Sequence, residues 1–472
     1  MGLFPTAHPV NRELIQETAC VRISRFGGVS TPMTERKLLR RLRGFGVFLI
    51  GIVLAFAASV LVPYFLAGWI SGIPTLVVSA IIAVVVIGWG SAWAAARIWR
   101  LVLRTRFILI ATGVLTALFI GALYIAVLRP TPEVPVTGAS ASTKYWLLPT
   151  GSQIAYSEYD PAPGIDIKPE PILFLHGGPG MAISPFEKTF FQQFAADGYR
   201  VYLFDQAGGG LSGFLPPRQY TVSRFVEDIE AIRKQVGADK IVLIGHSWGA
   251  TLAASYIAQY PEHVAKVVFY SPGPIWNWTG NADTSRAAQA PFKSSVLPPP
   301  RLFAALLLAE SRDNPVAGEQ LVSQREAESL YLPWIAPQAF LQVCRGETRD
   351  IPPYMLSIRS HPEFNPGFNP FVFDRLTDLL INAQLDPHPR LRGNRTPAIV
   401  IFSECDFLPW ASSLDYRKTF ENSKVYYVRR AGHIIELSQP DLLARIIRAF
   451  LLDQDDPIPP YRGDADPRLI SR

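Results

Sequence analysis

The sequence predicts an α/β protein whose mostly parallel sheet is covered by helices and preceded by about three transmembrane helices. From Lys144 onward, short apolar runs alternate with longer amphipathic runs, which is typical of a sheet with helices on both faces. Between Arg43 and Arg97, 53 consecutive residues carry no charge. One helix needs only about 20 apolar residues to cross a bilayer, so this run predicts two crossings.

Charge is distributed unevenly along the 472 residues, whose net charge is +6. Residues 1–130 hold 13 Lys and Arg against 3 Asp and Glu, which leaves 32 basic against 36 acidic residues in the remainder. The positive charge therefore flanks apolar runs and does not form a stripe with interleaved aromatic residues. We expect a lipid bilayer as a partner and no nucleic acid.

The three cysteines, Cys20, Cys344 and Cys405, are scattered along the chain. Their spacing matches no metal-ligand pattern and no disulfide framework. We therefore predict no metal site, and we interpret each cysteine as a small buried or loop residue.

The region 44–129 is predicted to hold about three membrane-spanning helices, near 45–66, 75–96 and 107–128. The third corresponds to a further uncharged run of the same length. The break between the first two is placed where turn-forming residues gather, namely Pro63, Gly68, Ser71, Gly72 and Pro74.

The orientation follows from the basic residues within 36–43 and 97–106, which are expected on the cytoplasmic side. Segment 1–43 is then cytoplasmic, and Met33 is an alternative start to Met1. With three spans, the chain after Arg129 lies outside the cytoplasm, in a multi-pass protein of the cell membrane. Residues 130–143 are predicted to be an extended linker that holds the soluble domain off the membrane.

The soluble domain is predicted to consist of residues 144–273 and 396–455, with a C-terminal tail at 456–472. An entering hairpin is expected at 145–148 and 154–157, followed by strands at 172–175, 201–204, 241–244, 267–270, 398–402 and 425–428. The pattern is interrupted over 274–395, a long insertion rich in Pro, aromatic residues and helix-forming stretches. Such an insertion between two strands is expected to form a helical lid, or cap, over the site.

The strongest motif reads Gly245, His246, Ser247, Trp248, Gly249 and lies between an apolar strand and a helical stretch. It predicts a nucleophile elbow, in which a strained turn exposes the serine hydroxyl and requires small residues on both sides. Ser247 is therefore the candidate nucleophile.

A second motif reads His176, Gly177, Gly178, Pro179, Gly180 and follows the strand 172–175. A tetrahedral oxyanion needs two amide donors, and we expect these to be the N–H groups of Trp248 and Gly178. Gly177 is the alternative donor.

The general base is predicted to be His433, which follows the last strand and precedes the closing helix 441–451. His176 and His246 adjoin the site, but they belong to backbone turns and are interpreted as structural. The acid should follow the strand 398–402; Asp406 is the better candidate and Glu404 the alternative. The chain order Ser, Asp, His is the order that this arrangement uses.

At these residues the chain resembles the proline iminopeptidase branch of the α/β-hydrolases. The resemblance rests on HGGPG at 176–180, DQAGGGLS at 205–212, VEDIEAIRK at 226–234 and GHSWGA at 245–250. It implies the α/β-hydrolase fold, with Ser247, Asp406 and His433 as a catalytic triad and with Gly178 and Trp248 as the oxyanion hole. Ala207 stands where the family usually has an arginine.

The resemblance further implies a membrane-anchored aminopeptidase that cleaves N-terminal residues from short peptides through an acyl-enzyme, without metal or organic cofactor. An esterase or lipid-directed hydrolase of the same fold is the alternative, and a catalytically silent surface binding module is the alternative from another class. Family members hold the free α-ammonium group with lid glutamates, which do not align here. Candidate substrate-binding residues are Gly177, Trp276, Trp278, Glu310 and Glu347.

Overall fold

The computed structural model describes residues 35–137, 143–276, 297–311, 315–339, 367–382 and 386–470. Of the residues proposed for the site, Trp278 and Glu347 lie outside these ranges, as do Cys20 and Cys344.

The chain begins its described part with three long apolar helices, α1 (Glu35–Ala67), α2 (Ile73–Trp99) and α3 (Arg104–Leu123). A short π-helical turn, Tyr124–Leu128, continues α3. All three are long and apolar enough to cross a membrane. Each extends beyond its predicted bounds because flanking residues, including the basic cluster at 36–43, continue the helix.

The break between α1 and α2 is shorter than the sequence predicted. Pro63 lies inside α1, and Pro74 lies in the first turn of α2. Proline is tolerated at both positions: the first turn of a helix does not use its N–H groups, and long apolar helices accommodate an interior proline by local adjustment.

The chain divides into two compact units, Met1–Ala58 with Ile82–Ala117, and Ser59–Ile81 with Leu118–Arg472. In the described part of the first unit, Ala92, Ala96 and Ile108 form a small apolar cluster. The indole of Trp99 donates to the backbone oxygen of Arg41.

The second unit contains an eight-stranded sheet. Its strands are β1 (Lys144–Leu147), β2 (Gln153–Tyr159), β3 (Ile172–Leu175), β4 (Val201–Phe204), β5 (Ile241–His246), β6 (Val264–Tyr270), β7 (Ala398–Ser403) and β8 (Lys424–Val428). The order is β1-β2-β4-β3-β5-β6-β7-β8. β1 and β2 are antiparallel to their neighbours, whereas β3 to β8 are parallel, so the carboxyl ends of the parallel strands meet at one edge.

Helices cover both faces of this sheet. They are α4 (Pro185–Phe191), α5 (Val222–Gln235), α6 (Trp248–Gln259), α11 (His388–Leu391), α12 (Trp410–Thr419), α13 (Ile435–Ser438), α14 (Pro440–Leu451) and α15 (Pro467–Ile470). β3, β4, β5 and β7 are buried at every position. This burial explains their unbroken apolar sequences, because a strand covered on both faces has no solvent side to fill with polar residues.

The insertion between β6 and β7 is called the cap here, after its predicted role. Its described parts contain α7 (Pro300–Glu310), α8 (Pro315–Leu321), α9 (Gln324–Ala339) and α10 (Pro370–Asn382). Their apolar cluster includes Leu302 and Leu308 of α7 and Phe371 of α10. The same cluster contains Ala67 and Leu76, from the ends of α1 and α2 that belong to this unit.

A buried ion pair between Arg301 and Glu326, called the clamp below, joins the chain that leaves α3 to the cap. Arg301 donates two hydrogen bonds to Glu326, at 2.6 and 2.8 Å, and further bonds to the backbone oxygens of Val127 and Leu321. Oε1 of Glu326 also accepts from the amide and the hydroxyl of Thr131, at 2.7 and 2.5 Å.

The segment after this clamp is bonded to the cap as well. The amide of Val134 donates to Ser329, and Glu133 accepts from Ser323. Residues 131–134 of the predicted linker are therefore not a free spacer. Their polar groups form hydrogen bonds with α9 and with Ser323, the residue that precedes α9. Residues 138–142 lie outside the described ranges.

We predict that Arg301→Met lowers the free energy of unfolding by about 3–5 kcal/mol, because it leaves the buried Glu326 carboxylate without its partner. Denaturant titration in detergent micelles measures this change. Adding Glu326→Met to the same protein should recover part of the loss.

The matched control is Lys144→Met, which breaks the exposed Lys144–Glu158 pair. An exposed pair contributes only about 0–1 kcal/mol, so this variant should differ little from the parent protein. An Arg301→Met variant that is no less stable than Lys144→Met would contradict the role of the clamp.

Candidate active site

Ser247 occupies the sharp turn between β5 and α6. Its backbone angles are φ 53° and ψ −116°, a left-handed conformation that costs energy for a residue with a side chain. A Cβ atom on Gly245 would lie 2.6 Å from the backbone oxygen of Gly249, and one on Gly249 would lie 1.9 Å from that of Leu175. Only glycine fits at these two positions, which is the physical reason for the spacing of the motif.

The glycine loop after β3 passes directly beside this turn. A Cβ atom on Gly177 would lie 3.2 Å from Cβ of Ser247 and 3.1 Å from Nδ1 of His246. Gly178 has φ 128°, and its peptide bond to Pro179 is cis. The loop at Gly177 thus lies close to the serine, and the assignment of its amides to an oxyanion hole stays a prediction.

Side chains fix this loop relative to α6. The indole of Trp248 donates to Oε1 of Gln206 at 2.8 Å. Gln206 in turn donates its amide N–H to Nε2 of His176 and its side-chain NH₂ to the backbone oxygen of His176. Burial lowers the pKa of His176 to about 4, so its imidazole is neutral and accepts a hydrogen bond.

His433 lies on the loop after β8, and its imidazole is held on one side by a carboxylate. Its Nδ1 donates to Oδ1 of Asp406 at 2.8 Å, and Asp406 is buried. The backbone oxygen of His433 is 3.1 Å from Nε2 of His246, the residue before Ser247, and the two imidazole rings are 4.9 Å apart. The ring of Phe407 packs on His433 at 4.3 Å.

The structure distinguishes the two candidate acids. Glu404 accepts a hydrogen bond from the backbone amide of Arg430 at 2.8 Å. Asp406 accepts from His433 and from the amide of Leu408, while its backbone oxygen accepts from Arg468. Asp406 is therefore the carboxylate behind the imidazole.

Cys405, next to this acid, is disulfide-bonded. Cys405 lies in a turn after β7, as interpreted, but the expectation that the cysteines form no disulfide is wrong for it. The remaining two cysteines lie outside the described residues, and scattered spacing in the sequence gave no sign of a bridge.

A buried cluster of Glu187, His246 and Glu436 lies behind the elbow. The imidazole nitrogen and carboxylate oxygens of these three residues lie within 4.8 Å of one another, close enough to bind a metal ion. No other such group is found among the residues that the structure describes. Burial raises the pKa of Glu187 to about 7, and burial together with the charge of Glu187 raises the pKa of Glu436 to about 8. Burial and the neighbouring His433 lower the pKa of His246.

Without an ion, these shifts favour a neutral cluster. Tyr270 donates to Oε1 of Glu436 at 3.1 Å, and its ring stacks on His246 at 4.5 Å. The amide and hydroxyl of Ser184 donate to Glu187 in a capping box at the start of α4. The cluster thereby joins α4, β6 and the loop that carries His433.

The other candidate substrate-binding residues are placed as follows. Trp276 packs against the larger core cluster of the sheet, and its buried indole nitrogen has no hydrogen-bond partner among the described residues. Glu310 is exposed at the end of α7. Trp278 and Glu347 fall outside the described ranges, as stated above.

Sequence reasoning missed several residues that position the site. Asn369 bonds the cap to the loops beside the elbow: its amide donates to the oxygen of Gly180 and its side chain to that of Gly208. Nothing in the cap sequence marks it, because its partners come from distant segments. Arg468, assigned only to a tail, supports Asp406; Gln206 lies in the DQ pair that carries the family resemblance.

Comparison with known proteins agrees with this topology. A family model described as alpha/beta hydrolase fold matches residues 170–305. Together with the sheet order and the elbow between β5 and α6, this match shows that the chain has the α/β-hydrolase fold.

Its relatives in sequence include proline iminopeptidases. That of Heyndrickxia coagulans is 35% identical over 131 residues, which is 27% of this chain and 43% of the relative. That of Arabidopsis thaliana is 26% identical over 293 residues, 59% of this chain and 72% of the relative. The chain thus spans less than half the length of the first relative. The solved proline iminopeptidase of Mycobacterium smegmatis has a TM-score of 0.45 at 18% identity, covering 66% of this chain and 98% of that one.

The buried carboxyl pair predicts a specific dependence of stability on pH. A carboxyl whose pKa is raised on folding stabilises the protein fully below its unfolded pKa, near 4.5, and this contribution is lost as the pH rises to about 8. One such group gives a slope of about 1.4 kcal/mol per pH unit in that window. Glu436→Gln cannot ionise, so it should flatten the fall in unfolding free energy between pH 5 and 8.

The control for this experiment is Glu262→Gln, since the Glu262 side chain is exposed. Denaturant titrations at several pH values should give the control the slope of the parent protein. An equally steep slope for Glu436→Gln would contradict the assignment of a buried, protonated carboxyl.

Proposed function

We propose that this protein is a membrane-anchored serine hydrolase with Ser247 as nucleophile, His433 as general base and Asp406 as the acid that orients the base. The observation that carries the proposal is a left-handed Ser247 directly after His246, whose ring lies 4.9 Å from the His433 imidazole that is hydrogen-bonded to a buried carboxylate. A strained serine, a histidine and an acid from three separate loops are required for acyl transfer. A silent binding module has no need of this combination.

The proposed reaction has two steps. His433 Nε2 takes the proton of the Ser247 hydroxyl as its oxygen attacks an ester or amide carbonyl, and Asp406 stabilises the imidazolium. The amides of Gly178 and Trp248 bind the oxyanion, and His433 then gives the proton to the leaving group. Water attacks the acyl-enzyme in the second step and releases Ser247. No metal or organic cofactor takes part in the proposal.

We further propose that α1, α2 and α3 cross the cell membrane and that the hydrolase domain lies outside the cytoplasm. Length and apolar composition support three crossings. The basic residues at the start of α1 (36–43) and around the junction of α2 and α3 (97–106) support cytoplasmic positions for those helix ends. The disulfide at Cys405 supports an oxidising compartment for the domain, because the cytosol keeps thiols reduced.

The sequence relatives support an exopeptidase that removes N-terminal residues from short peptides. The motifs that resemble this branch include the glycine loop at 176–180 and the elbow at 245–250. The proposed substrate is therefore a small peptide with a free N-terminus.

An ester substrate is the second candidate, and the cap carboxylates favour it. Glu326 is bonded to Arg301 and Thr131, and Glu328 accepts from Arg325 at 2.6 Å. These two buried carboxylates have basic partners within the protein. They are therefore poorly suited to binding the α-ammonium group of a peptide.

Asp406→Asn should lower kcat for an activated ester such as p-nitrophenyl acetate by about 10⁴, because the amide no longer holds the required imidazole tautomer. Glu404→Gln is the matched control, since Glu404 lies two residues away and bonds to the Arg430 backbone instead. It should retain nearly full activity. Equal losses in both variants would argue against Asp406 as the acid.

The substrate class is decided by assaying proline p-nitroanilide and p-nitrophenyl esters of increasing chain length side by side. The peptidase proposal expects a higher kcat/KM for the anilide and weaker hydrolysis when its α-amino group is acetylated. Turnover restricted to the esters would establish the second candidate instead.

A further inference from the structure

The outer face of α7 is unusually apolar. Residues 302–309 of this helix are all apolar. Arg301, Leu302, Ala305, Leu308 and Ala309 are buried in the cap. Phe303, Leu306, Leu307 and Glu310, spaced at i, i+3, i+4 and i+7, form the opposite face. Phe303 is 42% exposed, whereas Leu306 and Leu307 are half-buried, and Leu306 at the edge of this face also packs against the cap cluster.

A cap helix that faces water is expected to carry polar residues on that side. Here Glu310, at the last position, supplies the charge of the outer face, and three apolar side chains precede it. Leu297, just before the helix, is also exposed. Clustered exposed apolar side chains mark a surface that contacts a protein or a membrane.

The two ends of α7 identify what lies beside this face. At its first turn, Arg301 donates to the backbone oxygen of Val127, in the π-helical turn that ends the third apolar helix. Just past its last turn, Ser311 donates to the backbone oxygen of Tyr64, near the end of α1. An 11-residue helix is about 16 Å long, so α7 bridges the ends of two apolar helices.

Aromatic residues gather at the same helix ends. Tyr64 lies there, Trp69 follows α1, and Tyr124 begins the π-helical turn; Trp69 and Tyr124 are exposed. Trp and Tyr concentrate at the level of the lipid headgroups, where one end of each side chain is apolar and the other wet. The two hydrogen bonds that join the ends of α7 to the apolar helices, at Val127 and Tyr64, are therefore expected at the level of the lipid headgroups.

We infer that α7 is an interfacial helix, whose face of Phe303, Leu306 and Leu307 lies in the boundary between headgroups and acyl chains of the bilayer. This inference rests on the proposed membrane anchoring and extends it, because it makes the cap of the hydrolase a second membrane-contacting element. Interfacial helices bury their apolar face about 5–10 Å into this boundary.

The test uses the full-length protein in liposomes of phosphatidylethanolamine and phosphatidylglycerol. A nitroxide spin label is attached to Phe303→Cys, and its collision rates with oxygen and with a water-soluble nickel complex are measured. Val53→Cys, on an exposed apolar position of α1, is the lipid reference, and Lys240→Cys, exposed before β5, is the water reference. The unsubstituted protein gives the background from native cysteines.

The expected result is several-fold lower nickel accessibility at Phe303→Cys than at Lys240→Cys, with oxygen accessibility approaching that of Val53→Cys. A label at 303 that behaves as at 240, while the label at 53 is in lipid, would overturn the interfacial helix and leave the anchoring intact. Water-like behaviour at both 303 and 53 would overturn the anchoring itself.

Labelling by a fluorophosphonate probe checks that each variant is folded, and it reports on the hydrolase proposal separately. If Phe303→Cys does not fold, Leu307→Cys on the same face replaces it, and the same two outcomes apply.

Discussion

The backbone of Ser247 is the constraint around which the site is arranged. Its left-handed conformation is held because β5, α6 and the loop after β3 approach so closely that only glycine fits at 245 and 249. The same close approach brings the glycine loop at Gly177 beside the serine. The packing of the sheet and α6 thus provides the energy to hold a strained residue that an isolated turn would not adopt.

Two further layers of contacts depend on this turn. Gln206 bridges the indole of Trp248 and the imidazole of His176, which fixes the glycine loop, while His246 joins the elbow to the backbone of His433. Farther out, Asn369 ties the cap to the oxygen of Gly180, and Arg301 ties the cap to the chain leaving α3. A chain of hydrogen bonds and apolar contacts within one compact unit therefore connects the helix ends to the site.

Much of the fold could be predicted because its signals are local. Each strand from β3 to β8 has an apolar run, and the elbow and the glycine loop are short motifs whose spacing is set by sterics.

The long-range features of the structure could not be predicted from such local patterns. The Glu326 clamp, the disulfide at Cys405 and the support of Asp406 by Arg468 join residues far apart in sequence. Pro63 was counted among the turn-forming residues that mark the break, whereas it lies inside α1 because a long apolar helix accommodates a proline. The choice between Glu404 and Asp406 also needed the structure, since both follow β7 and only their side-chain directions differ.

The most direct test of the account is the covalent reaction of the protein with a fluorophosphonate, followed by peptide mapping of the modified residue. A serine made nucleophilic by His433 and Asp406 should form a single adduct on Ser247, and Ser247→Ala should show none. An adduct that persists in Ser247→Ala, or one that maps to another residue of the parent protein, would contradict the assignment of the nucleophile.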